Sequence, residues 1–578
     1  MALLPKILGV SVAASALFLA GCGGDPGGPN PGPSLNCAQV QPTTVAVGAF
    51  AIVDPTAQGA CVSLPSVPAA GSGGAEHLYL AVSTAGAEVA NGITAPYSIS
   101  GNPSGLTASV GQLPSPLVSA FRGPANAPRF HRMLRERERM LARDPRRMFD
   151  ARHGRLQGPS FAAAPAQGSE KDFFVCTDTN CGDFVSVRAT AEVVRDKVAI
   201  YVDNASTVTQ RYTALELNDI AQVFDDFLYP IDTLNFGRES DIDANGVVQV
   251  LLTPKINELS PNCNSTGSVI LGYFFGQDLE AVPNSNNGEV FYSLVPDPLS
   301  TATTNCDISK SFAQINLAPT FVHEFQHMIS YNQHAIVRDG DPEETWLNEG
   351  LSHYAEELAG RLVPDTTGQA PGTTYNQYAL SNYLNAYDYL ENPEAAFLIS
   401  PAGTGGSLEE RGAGWLFVRW IADQFDNNTP SGFRVRGTDF TRALVQTNLN
   451  GAANIEAESG ETFSTLVTQW QLANYLSDLS GFTPSSQRLR YITLNIRQQF
   501  ATAHDRDPGS FPRVYPLVPD STKTGTYTRT GTLRQGSGRH VRIIQSSGAE
   551  GVQLLLTNNS GGQISAAAVP RVGLVRVR

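Results

Sequence analysis

The chain has 578 residues, a formal net charge of −14 and 41% hydrophobic residues. That length calls for several domains, and the apolar share is ample for packed cores. The acidic balance argues against a nucleic-acid binder, which would need a basic face, and it leaves the substrate open.

The chain starts with Lys6 followed by an apolar run over 7–20, the pattern of a secretory signal over residues 1–21. The run closes on Leu19-Ala20-Gly21-Cys22, which resembles the bacterial lipobox and implies cleavage before Cys22 and lipidation of its thiol. Residues 22–34, nearly all Gly, Pro, Asn and Asp, suit a tether that cannot pack. The expectation is an exported protein held to the cell envelope by this lipid, at the outer membrane or cell surface. No acidic residue directly follows Cys22 to argue for retention at an inner membrane. Six cysteines remain (Cys37, Cys61, Cys176, Cys181, Cys263 and Cys306), an even number that suits disulfides in an exported chain. Six cysteines allow fifteen connectivities; nearest-neighbour pairing gives Cys37–Cys61, Cys176–Cys181 and Cys263–Cys306.

Residues 35–121 carry short alternating runs, such as His77-Leu78-Tyr79-Leu80-Ala81-Val82, between Gly/Ser turns, and read as a small β-sandwich domain. Residues 122–170 form an Arg-rich linker or helix, with eleven Arg in 122–156. A solvated linker helix, a helix lying on anionic lipid and a cleavable activation segment all fit that pattern. Residues 171–310 alternate strands, including 197–202 and 247–252, with a helix over 215–228. A mixed sheet is expected there, with 287–294 as an edge strand able to pair with an extended peptide. Asp241, Asp243 and Asn245 match the first half of a calcium loop, but position twelve is Leu252 where a bidentate Glu belongs. A smaller Ca2+ loop and a self-bonded turn before a strand both remain open.

The richest stretch is His323-Glu324-Phe325-Gln326-His327, followed after 21 residues by Glu349 within Trp346-Leu347-Asn348-Glu349-Gly350-Leu351. On a helix, residues i and i+4 share a face, so both imidazoles can bind one Zn2+. Pro319 and Thr320 suit a first helical turn, and Phe321, Phe325, Met328 and Ile329 give a buried stripe. A second helix is expected near Asp341, with Pro342 in its first turn and Glu349 further along. A catalytic zinc wants three protein ligands and an open position for water, and Glu324 stands where it can take that water's proton.

The run 323–327 followed by Trp346-Leu347-Asn348-Glu349-Gly350-Leu351-Ser352-His353-Tyr354 resembles the gluzincin metallopeptidases, in particular the hyicolysin-like peptidases and related bacterial surface lipoproteins. The segments 199–204, 241–246 and 287–292 share the likeness, which covers about 171–490. The resemblance implies zinc on His323, His327 and Glu349, Glu324 as base and acid, and protein or peptide as substrate. His353 stands where thermolysin-like enzymes have an Asp supporting a zinc histidine, so that partner is unassigned. Glu356 is a candidate for it, and His353 could itself replace Glu349 as a ligand. The oxyanion stabiliser is open among Tyr331, Tyr354, Tyr375, Tyr378, Tyr383, Tyr387 and Tyr389.

After the zinc motifs, 376–390, 414–425 and 463–479 have helical periodicity, and 491–578 returns to alternation as a C-terminal β domain. The expected fold is α+β: a mixed sheet and a helical lobe around the His-Glu helix, flanked by small β domains. The expected function is a lipid-anchored zinc metallopeptidase. Two other readings stand beside it: a surface-binding lipoprotein with a non-catalytic zinc, and a zinc hydrolase of a non-protein amide. Oligomeric state is not legible.

Overall fold

Alternating apolar residues at the two ends of the chain form strands that pair with each other. The computed structural model describes residues 37, 40–57, 60–69, 73–102, 126–144, 163–366, 369–426, 428–523 and 527–578. The signal-like run, Cys22 and the tether lie outside these residues. Strands β1 (Phe50–Val53), β2 (Cys61–Leu64), β3 (Ala75–Ser83) and β4 (Thr94–Gly101) come from the N-terminal part. Helix α1 (Asn126–Ala142) follows.

Next come β5 (Glu170–Cys176), β6 (Phe184–Val194), β7 (Val198–Asp203), α2 (Ala214–Val223), β8 (Val248–Leu252), β9 (Gly272–Phe274) and β10 (Val290–Ser293). Beyond them lie helices α3 (Lys310–Tyr331), α4 (Thr345–Leu362), α5 (Thr373–Glu391), α6 (Leu408–Phe425) and α7 (Phe463–Leu476). The chain ends in β11 (Asp520–Thr522), β12 (Tyr527–Arg534), β13 (Gly538–Gln545), β14 (Val552–Thr557) and β15 (Pro570–Arg576).

The two end segments, expected as separate β domains over 35–121 and 491–578, build one sandwich instead. Its sheets run β1-β15-β3-β13-β11 and β12-β4-β14-β2, each mixing strands from both ends. β3 lies between β13 and β15, antiparallel to both, with Tyr79 opposite Val541 and Leu574. Tyr79, Tyr97, Ile99, Leu554 and Leu574 fill the layer between the sheets. The physical reason is edge satisfaction: either half alone would expose unpaired strand edges. The disulfide Cys37–Cys61 fastens β2 to the start of the sandwich, and Cys176–Cys181 and Cys263–Cys306 close loops in the central domain.

The central sheet has the order β5-β6-β7-β8-β10-β9. β7, β8 and β10 run parallel, and β9 is antiparallel to β10 at the outer edge. The segment 287–294, expected as an edge strand, is therefore interior, and β9 holds the edge. α3 lies against this end of the sheet, with Phe321 packed on Phe224 and Phe291.

Two helix boundaries differ from expectation for identifiable reasons. α3 starts at Lys310, where the Ser309 hydroxyl accepts from Phe312 N–H, so Pro319 lies inside the helix. α4 starts at Thr345 rather than near Asp341, because the buried Glu343 carboxylate accepts from Gly451 N–H and Asn454 and holds the preceding chain extended. α2 continues through a wide turn at Phe224–Leu228. α1 is not a solvated linker helix: Phe130, Leu134, Arg135 and Glu138 are all buried. Among the described residues no helix is long and apolar enough to cross a membrane.

Candidate active site

The four-residue spacing on α3 sets His323 and His327 side by side, their Nε2 atoms 3.2 Å apart. α4 crosses so that Glu349 carboxylate oxygens lie 3.6 Å from His323 Nε2 and 3.8 Å from His327 Nε2. All three side chains are buried. Zinc bonds of 2.0–2.2 Å at tetrahedral angles place donors roughly 3.4 Å apart, so these three atoms fit one zinc ion. Two ring nitrogens facing each other at such range, with a carboxylate completing the triangle, suit a shared cation better than hydrogen bonding.

The residues behind the donors fix their ring orientation. His323 Nδ1 lies 2.7 Å from Glu356 Oε1, which leaves Nε2 for the metal. His353 stacks edge-on to His323 at 4.9 Å, and its Nδ1 also reaches Glu356, at 3.2 Å. Burial opposes ionisation of Glu356, but His353 and then His323 outweigh it and hold the carboxyl well below its usual range. The geometry thus puts Glu356 behind His323 and leaves His353 on Glu356. Ser352 Oγ donates to Gln326 at 2.5 Å and lies 3.1 Å from His327 Nδ1 and 3.3 Å from its Nε2, so it touches the ring without selecting one nitrogen.

Arg411 on α6 places its guanidinium 3.1 Å from Glu349. Burial alone would raise the Glu349 carboxyl, yet Arg411, then the histidines, hold it well below the usual range. Glu349 is therefore an anionic donor, as a zinc ligand must be.

Glu324 lies on α3 outside this donor triangle. Its Oε2 accepts from Phe274 N–H at 2.9 Å, which ties the carboxylate to β9. Burial raises its pKa, with His323 and Arg135 acting the other way. Its Oε1 is 3.3 Å from His131 Nδ1 on α1. Burial, then Arg411, pushes the His131 imidazole down to about 3, so this contact is made by a neutral ring.

The tyrosines considered for the oxyanion are mostly engaged elsewhere. Tyr331 donates to Glu280, Tyr375 and Tyr383 bond each other, Tyr387 bonds the Arg513 backbone, and Tyr389 accepts from Gln471. Tyr354 and Tyr378 are buried. The 241–246 loop is a self-bonded turn. Asn245 donates its side-chain amide to Asp243 at 2.6 Å, Gly246 N–H bonds Asp241, and Val247 N–H bonds Asn245. Asp241 and Asp243 approach Glu289, not Asn245, as a possible oxygen cluster, and Glu289 already accepts from Ser240 and Ile242. The calcium expectation finds no support. Arg411 and His131 were not singled out by sequence; neither shares a motif with His323 and His327, and only the chain path brings them there, whereas Ser352 lies one turn after Glu349 in the 346–354 run, where the sequence assigns it no role.

Two buried imidazoles, an anionic carboxylate and a separate buried glutamate thus meet on an α+β scaffold, a donor set that suits one zinc ion. The chain is 27% identical over 217 residues to Neutral metalloprotease ShpI of Staphylococcus hyicus, a match covering 37% of this chain and 44% of that protein. The chain thus matches less than half the length of that relative. A solved M1 zinc metallopeptidase variant from Deinococcus radiodurans aligns over 52% of each chain at 12% identity and a TM-score of 0.27, too low for an argument. No protein-family profile matches the chain.

Proposed function

We propose that this protein is an exported, lipid-anchored zinc metallopeptidase that hydrolyses peptide bonds in proteins or peptides. The observation that carries the reading is Glu324. It is a buried carboxylate beside the donor triangle yet no part of it, and a structural zinc would have no use for such a group. Similarity to a neutral metalloprotease supports the same reading.

His323, His327 and Glu349 would hold the metal, which when bound supplies a Lewis acid and acidifies a water. Glu324, oriented by Phe274 N–H, takes a proton from the attacking water and hands it to the leaving amine nitrogen. Glu356 holds the His323 ring in the tautomer that presents Nε2. Arg411, paired with Glu349 at 3.1 Å, is a candidate to stabilise charge developing on the carbonyl oxygen.

The test uses protein beginning at Leu35, on unfolded casein and on short peptides, beside Glu324→Ala, with zinc measured in both. Zinc in both and cleavage by the parent alone is expected. Equal cleavage in both would overturn the role of Glu324, and zinc without any cleavage, even once the segment 126–142 is released from the site, would overturn the peptidase reading. The anchor is tested separately: Cys22→Ser should move the full chain from the membrane fraction to the soluble one, and an unchanged distribution would refute lipidation there.

A further inference from the structure

Helix α1 lies in the groove beside Glu324. β9 is the outermost strand of the central sheet. Leu271 C=O accepts from Leu294 N–H, on the side of β10. Alternation then turns the polar groups of Phe274, and of Gly276 just past the strand, towards the open edge. Those outward groups are the ones an extended peptide would pair with in lying beside the base. All are occupied. Phe274 N–H bonds Glu324, Phe274 C=O accepts from Arg135 at 3.0 Å, and Gly276 N–H donates to Glu138 at 3.0 Å.

A helix has no spare backbone groups with which to satisfy a strand edge, so α1 does it with side chains. Arg135 supplies the donor and Glu138 the acceptor, and the two are paired with each other at 3.2 Å. Phe130 packs edge-on to Tyr273 at 5.0 Å, Leu134 is buried, and His131 stands against the carboxylate that must receive the proton. Outside the groove, Arg139 bonds Glu88 of the sandwich and Thr345 at the start of α4, and Arg143 pairs with Asp341.

We propose that the groove between β9 and α3 is a peptide-binding site whose resident occupant is α1, and that the chain is latent until α1 leaves. The inference rests on the peptidase reading for its consequence but not for its geometry. Substrate competes with a tethered segment that already fills the edge and touches the base. Apparent substrate affinity is then the intrinsic affinity scaled by the fraction of molecules with α1 undocked.

The experiment compares the zinc-loaded parent with Arg135→Ala/Glu138→Ala, a double change that leaves neither charge buried alone. Cleavage of a short internally quenched peptide, zinc content and thermal midpoint are read in both. The double variant should gain about tenfold or more in kcat/KM. A synthetic peptide of residues 126–142, added in trans, should suppress that gain. A variant that retains zinc and its thermal midpoint but shows unchanged or lower kcat/KM overturns the inference and makes α1 a wall of the working site.

If neither protein cleaves any peptide, calorimetric binding of a peptide hydroxamate separates the two claims. Binding tighter by a similar factor in the variant keeps the helix inference while the peptidase reading falls; equal binding rejects the helix inference. If the double variant does not fold, Arg139→Ala, whose contacts lie outside the groove, should give a smaller change of the same sign. No change there would count against the proposal.

Discussion

At the residue scale, the site depends on how firmly a few carboxylates hold a few rings. Glu356 receives His323 Nδ1 at 2.7 Å and is kept anionic by His353 and His323. Glu356→Gln keeps an oxygen acceptor but removes the charge that strengthens the ring as a donor to metal. Zinc affinity should fall about 10- to 100-fold, as changes to such supporting groups generally do. Competition with a chromophoric chelator would measure it; unchanged affinity would mean that the carboxylate does not hold the ring. The histidine pair and its neighbouring Glu324 were legible in sequence because they act within one helical turn, where spacing alone fixes geometry. Arg411 was not, since a lone Arg after the Ser407–Glu410 capping box carries no mark of the residue it will face.

At the element scale, the helical lobe is held at close range where α5, α4 and α6 cross. A Cβ added to Gly412 would lie 2.3 Å from the backbone carbonyl of Asn385 on α5, so α5 and α6 touch backbone to backbone there. Gly412→Ala must push the two helices apart, at a cost of about 1–3 kcal/mol by analogy with overpacked cores. Arg411 is the preceding residue, so the same shift should draw its guanidinium off Glu349 and lower the turnover rate as well. A reduced urea midpoint together with reduced kcat is expected, and an unshifted midpoint would show that the helices can part freely. The deeper reason this lobe tolerates little movement is a buried charge cluster. Arg419 on α6 pairs with Glu357 on α4 at 2.8 Å and with Asp423 at 2.9 Å, and Trp415 donates to the same Glu357. Buried charges of this kind are costly to unpair, which fixes the helix register.

At the scale of the whole molecule, the sandwich closes the chain on itself and contains buried histidines. His540 on β13 is buried and bonds Gln471 C=O of α7 at 2.8 Å. Burial pushes its imidazole down to about 4, from an ordinary value near 6.5. The unfolded chain therefore binds a proton at a pH where the folded chain does not. The stabilising difference is whole above about pH 6.5 and is lost as pH falls towards 4, amounting at full shift to about 3 kcal/mol. Thermal midpoints measured from pH 7.5 to 4.5 should fall more steeply for the parent than for His540→Gln, which does not titrate. Parallel curves would show that His540 is not the group responsible.

What the sequence determined by itself was local. It showed the strand and helix periods along most of the chain, the metal-binding spacing on α3, and the carboxylates on α4. It also contained the three nearest-neighbour cysteine pairs that the structure joins. Each depends on residues a few positions apart, or on the nearest partner along the chain. Tertiary structure alone decided which strands pair, and so joined two expected β domains into one sandwich. It also made β9 rather than β10 the sheet edge and brought Arg411 to Glu349. Finally, it laid the Arg-rich helix against Glu324 instead of leaving it in solvent. Those outcomes turn on edges and buried charges that find partners far along the chain, and no local period records such a partner.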